Sequence, residues 1–148
     1  MAGTPKNPTV FAVPAGYAIA PFNSGFSQTV GPWYHVPGVD YVQLAFHADE
    51  RHVNSIGIIH GGMMMTFADT VLGQSHRKLT GRPAVTTRMT TDFIDAARFG
   101  DLVEGRGEVT RQTRNLMFVR ATVWTGKRTL LNASGVFTFV RQRRNADG

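Results

Sequence analysis

The sequence predicts an α+β domain in which an antiparallel sheet curves around one long, buried helix. Two observations carry that expectation. Residues 63–72, Met-Met-Met-Thr-Phe-Ala-Asp-Thr-Val-Leu, are apolar on nearly every side, which marks a helix enclosed by other structure. After Pro83 the chain then reads as strand almost to its end, in four runs rich in Thr, Val and Phe. One apolar helix and about five long strands bury their faces most simply when the sheet wraps the helix.

Taken in order, the chain opens on a lead-in, residues 1–22, that differs from the rest. Six of the seven prolines lie within residues 1–37, and only Lys6 and Asp40 carry charge before Asp49. Residues 1–20 are expected to be mobile. The aromatics Phe11, Tyr17, Phe22, Phe26, Trp33 and Tyr34 are too many for a solvated tail, so part of the segment, from about Asn23 on, should pack on a domain spanning residues 23–141. From Tyr41 the pattern alternates, with Val42, Leu44, Phe46 and Ala48 on one face, as in a half-buried strand. A loop over 50–56 leads to His60-Gly61-Gly62 and the helix. Arg77 and Lys78 suit the negative end of its dipole, and Gly81 and Pro83 stop it. Strands follow over 84–94, 102–110, 116–124 and 129–140, the last two joined by a Gly126-Lys127 hairpin turn. Residues 142–148 form a basic tail, read as a solvated terminus rather than a nucleic-acid contact because no aromatics interleave Arg141, Arg143 and Arg144.

Composition narrows the chemistry. At 148 residues, with 42% hydrophobic and 18% charged, the chain has the size of one domain. No apolar run reaches the ~18–20 residues of a membrane span. No secretory signal is evident, so a cytoplasmic location is expected. The absence of cysteine excludes thiolate metal sites and a cysteine nucleophile. His47 and His52, five apart with no acidic cluster, do not make a metal set. No serine stands in a Gly-x-Ser-x-Gly elbow. The net charge of +6 favours an anionic partner without naming it.

The anomaly is Asp69, a carboxylate within an apolar helix. Burying a charge is costly unless it is paired or hydrogen-bonded, so the residue is either a bonded structural group or a general base or nucleophile. At the helix start, Gly61-Gly62 reads either as a tight turn or as bare backbone N–H groups facing a ligand, the outline of an oxyanion hole. Gly61 and Asp69 are eight residues apart, about 12 Å along a helix. One subunit therefore cannot easily bring both to one carbonyl; two antiparallel helices at a two-fold interface can.

Asn54, His60-Gly61-Gly62 and Asp69 in this order and spacing, followed by Pro83-Ala84-Val85-Thr86, resemble the hotdog-fold acyl-CoA thioesterases of the PaaI type. The resemblance spans residues 25–140 and includes Ala96-Ala97-Arg98-Phe99-Gly100-Asp101 and Gly135-Val136-Phe137. It implies that the fold is a hotdog, that dimers form and pair into tetramers, and that the substrate is an acyl-CoA, with CoA as part of the substrate and no other cofactor. By similarity, the Gly61 N–H and the Asn54 side chain polarise the thioester carbonyl, and Asp69 of a partner subunit activates water or attacks directly. His60 lies near the leaving sulfur or braces the loop. Thr86 helps hold the water, though Thr87 fits with a one-residue shift. Gly62, Arg88, Arg114 and Asn115 are expected beside the substrate, with Arg111 and Arg120 as further candidates for the CoA phosphates. Met64 would line the acyl pocket, its apolar end shared with Phe67 and Phe93.

The residue types agree with the reaction. Thioester hydrolysis puts negative charge on the carbonyl oxygen, where a fixed donor contributes about 3–4 kcal/mol. Two other readings carry different chemistry: a non-catalytic acyl-CoA-binding regulator, which needs no buried carboxylate, and an enoyl-CoA hydratase, which needs a His and an acid placed across a carbon–carbon bond.

Overall fold

The structure, a computed structural model, describes residues 7–141. Five long strands form an antiparallel sheet: β3 (Val42–His47), β4 (Ala84–Phe93), β5 (Leu102–Gln112), β6 (Leu116–Thr125) and β7 (Arg128–Phe139). Two short strands, β1 (Ala18–Ile19) and β2 (Tyr34–His35), extend one edge, giving the order β1-β2-β3-β5-β6-β7-β4. The principal helix, α2 (Gly61–Thr80), lies across the concave face, and a short helix, α1 (Gly25–Val30), precedes β2. This is the hotdog arrangement.

Why α2 sits where it does follows from its neighbours. Phe67, Val71 and Leu72 are fully buried, with Phe67 stacked on Trp33 at 5.8 Å and tilted against Phe46 at 4.9 Å. Strand β5 turns Gly105 and Gly107 toward the helix. A Cβ at Gly107 would lie 2.0 Å from the Ser75 hydroxyl, and one at Gly105 would lie 2.8 Å from the Phe67 ring. The helix therefore rests on bare backbone. Its C-terminal end is closed as the sequence predicts, with Gly81 left-handed at φ 64° and its N–H donating to the Arg77 carbonyl.

The strand boundaries fall within two residues of those expected. The lead-in differs. Residues expected to be mobile are tied across the sheet: Thr9 bonds Glu50, Phe11 stacks on His47 at 4.5 Å, and the Tyr17 hydroxyl donates to Glu104 at 2.6 Å. Residues 1–6 and the basic tail, 142–148, lie outside the described residues. Among the described residues, no helix is long and apolar enough to cross a membrane.

Candidate active site

Residues four apart on a helix share a face, and on α2 one such stripe runs Gly61, Met65, Asp69, Gly73 and Arg77. It is the stripe turned from the sheet: Met65 is 37% exposed and Arg77 is exposed, while Asp69 is half-buried. Asp69 does not stand alone. The Thr86 hydroxyl of β4 donates to its Oδ1 at 2.7 Å, and no other residue among those described bonds its Oδ2. The structure thus brings Thr86 to the carboxylate. Thr87 sits in a β-bulge between Thr86 and Arg88 and turns its hydroxyl to Thr138.

At the start of α2 the backbone is held by side chains. His60 caps the helix, its Nδ1 accepting the Gly62 N–H at 2.8 Å, so the neutral ring carries its proton on Nε2 and presents a donor outward. Gly62 must be small, since a Cβ there would meet that Nδ1 at 2.9 Å. Of the two glycine N–H groups, the cap uses that of Gly62. The Gly61 N–H has no acceptor among the described residues, and the Phe93 ring lies beside it, 3.5 Å from where a Cβ would stand.

Asn54 is fixed in a comparable way. Its Oδ1 accepts from the N–H groups of Ile56 at 3.0 Å and Ile58 at 3.3 Å, inside a turn closed by Gly57 at φ 80°. Both partners are donors, which assigns the oxygen to that side and leaves the amide NH₂ as the outward group. Gly61, Asn54 and His60 therefore each offer a donor at one end of α2, and Asp69 with Thr86 forms a second cluster two turns away.

The remaining candidates are dispersed. Met64 belongs to the core rather than the stripe, as does Phe67, whereas Phe93 is 54% exposed. Met65, at i+4 spacing from both Gly61 and Asp69, is the methionine exposed on the stripe. Arg88 pairs across from Val136 on the sheet face turned from α2. Arg120, beside Glu108 at 2.8 Å, is on that outer face as well. Arg111 is exposed near the end of β5, and Arg114 and Asn115 occupy the β5–β6 turn, where the Asn115 carbonyl accepts from Phe139. His52 is structural: its Nδ1 accepts from the Asp49 N–H, its Nε2 meets the Val30 carbonyl, and burial lowers its pKa. No metal-sized cluster of His or carboxylate groups occurs among the described residues.

A sheet wrapped about one helix, with a hydrogen-bonded carboxylate halfway along that helix's bare stripe, is the frame of a hotdog-fold protein. Sequence comparison agrees: the family model described as Thioesterase superfamily matches residues 56–132. The "Putative esterase PA0474" of Pseudomonas aeruginosa is 31% identical over 128 residues, which cover 84% of this chain and 96% of that one. Among solved structures, the E. coli PaaI protein from the phenylacetic acid degradation operon superposes with a TM-score of 0.74 at 17% identity, over 80% of this chain and 86% of its own. A hypothetical thioesterase protein from Streptococcus pneumoniae TIGR4, solved with coenzyme A, gives 0.66 at 22% identity, over 70% and 80%. The chain belongs to the thioesterase superfamily and is a thioester hydrolase.

Proposed function

We propose that the protein hydrolyses acyl-CoA thioesters to free acid and CoA, at two equivalent sites shared between two copies of the chain. The observation that carries this reading is the placement of the Gly61 N–H and the Asp69 carboxylate on one stripe of α2 turned from the sheet, eight residues or about 12 Å apart. Strand β4 offers the means of joining them. It is one edge of the sheet, with Val85 55% and Phe93 54% exposed and Ile94, just beyond it, 54% exposed. Two such edges paired antiparallel about a two-fold axis set Phe93, beside Gly61, against the partner copy's Thr86, beside Asp69.

In that arrangement the Gly61 N–H and the Asn54 NH₂ donate to the thioester carbonyl oxygen. Asp69 of the other copy, steadied by Thr86, takes a proton from attacking water, or attacks the carbonyl itself and is freed by water afterwards. Either route breaks the carbon–sulfur bond and releases the acid and the CoA thiolate, toward which the His60 Nε2–H points. Carboxylate, water and fixed donors suffice, with no metal or further cofactor. Met65 and Phe93 give the acyl end an apolar wall suited to aryl or medium-length groups. We place the enzyme in the cytoplasm, its dimers paired into tetramers. The coenzyme A held by the Streptococcus relative supports the choice of thioester.

Two variants test the shared site by release of CoA thiol. Asp69→Asn is nearly isosteric and should lower kcat by about 10²–10⁴-fold. Gly61→Pro removes one N–H at the first helical position, where proline is tolerated, and His60 before it already has the extended backbone that proline requires (φ −59°, ψ 134°). Each should be inactive alone. Unfolded and refolded together, they should recover about a quarter of wild-type turnover, since random pairing gives half mixed dimers with one intact site each. No recovery would place the whole site in one chain, and undiminished turnover of Asp69→Asn would remove the carboxylate from the chemistry.

A further inference from the structure

The exposed stripe of α2 continues past Asp69 to Gly73 and Arg77, while β4 begins at Ala84, two residues before Thr86. Between them lies a cavity of about 350 Å³, lined by Gly73, His76, Arg77, Arg82, Pro83 and Ala84 among others. Packing within the chain does not demand a glycine at 73. A Cβ there would touch only Phe137, at an ordinary 3.8 Å, although glycine inside a helix weakens it relative to alanine. The bare position leaves room at that side of the groove, about one helical turn from Asp69.

The rim of the groove is cationic. The Arg82 guanidinium lies over the Phe139 ring, 3.7 Å from its centroid, which holds the charge in place. Arg77 stands in the last turn of α2. Among the described residues neither joins an ion pair, and no carboxylate lines the cavity. The helix dipole accounts for Arg77 and for Lys78, which turns away to the Val39 carbonyl. It does not account for Arg82, which lies beyond the Gly81 cap. The buried His76 ring closes the inner wall against Phe137 at 4.7 Å; burial, with Arg77 beside it, favours its neutral form, so the positive charge belongs to the arginines.

Reach agrees with charge. Arg77 lies eight residues from Asp69, about 12 Å along the helix. In a CoA thioester about thirteen bonds separate the sulfur from the first phosphorus, a span on the order of 15 Å at ordinary bond lengths. We infer that this groove, carried by Arg77 and Arg82, is the subsite for the diphosphate of the CoA leaving group, an assignment that rests on the acyl-CoA reading above.

The test compares one acyl group carried on CoA and on phosphate-free pantetheine, in the wild type and in Arg77→Gln/Arg82→Gln. The wild type should prefer the CoA ester in kcat/KM. The double variant should lose about tenfold of that preference, the equivalent of about 1.4 kcal/mol, through KM rather than kcat. Both substrates are read on one preparation, so any loss of folded protein cancels in the ratio. An unchanged preference would overturn the inference, as would its loss in Arg114→Gln alone. Should the wild type turn over neither ester, the acyl-CoA reading falls instead. Calorimetry with CoA and pantetheine then decides the groove: tighter binding of CoA in the wild type but not the double variant upholds it, and equal affinities refute it.

Discussion

Strands β4 and β6 are each ten residues long and draw on the same Thr, Val, Met and Phe vocabulary, yet they fare differently. In β6 alternate residues Met117, Val119, Ala121 and Val123 are buried against α2, and both edges are paired, with β5 and β7. In β4 no residue is fully buried, and only the β7 side is paired. Apolar composition alone therefore does not distinguish a finished strand from an unfinished one. What distinguishes them is whether the chain itself supplies the second neighbour, and for β4 the surface left over includes Val85 and Phe93.

The sharpest way to break this comparison is to damage each strand in turn. Met117→Ala, in the middle of the finished sheet, should cost about 2–4 kcal/mol of stability in denaturant melts. Val85→Asp should change the stability of the folded chain by less than about 0.5 kcal/mol while light scattering shows dissociation and turnover falls with it. Equal destabilisation by both would mean that β4 is completed within one chain.

A second test asks whether two copies of the chain meet along the bare stripe. Midway between Gly61 and Asp69 on the bare stripe stands Met65, so antiparallel helices that join those residues must place Met65 against its own copy. The sequence contains no cysteine. Met65→Cys should therefore cross-link to a dimer under mild oxidation, read on a non-reducing gel, whereas cysteine at Leu79 should not.

The smallest effect concerns pH and separates folding from assembly. Burial lowers the pKa of His47, His52 and His76 below the ordinary 6.5. The unfolded chain then binds more protons than the folded one, so stability is full above about pH 6.5 and is lost as pH falls toward the folded-state values. A calorimetric scan should show Tm level above pH 7 and declining below 6.5. A Tm that stays level to pH 5 would mean the imidazoles titrate as if in water.

Much of this architecture is legible in the sequence because its signals are local. The apolar helix, its Gly81 stop and the Gly126-Lys127 hairpin each depend on residues a few positions apart. The lead-in is opaque for the opposite reason: Thr9, Phe11 and Tyr17 find partners at Glu50, His47 and Glu104, distant in sequence and unmarked by any period. At the site, the Asp69 anomaly and the Gly-Gly pair are visible directly. The wall is not, because a helix apolar all round does not announce which side faces the sheet; a single residue's rotation, ~100°, separates Met64 in the core from Met65 on the stripe.

The two bare glycines of β5 have a bearing on redesign. With Gly105 and Gly107 pressed against Phe67 and Ser75, the sheet side of α2 tolerates no exchange of volume, whereas Met65 is exposed and a Cβ at Gly73 would meet only Phe137, at an ordinary 3.8 Å. A selection for new acyl specificities should find its survivors along that one stripe, and a combinatorial library confined to it should lose few members to misfolding.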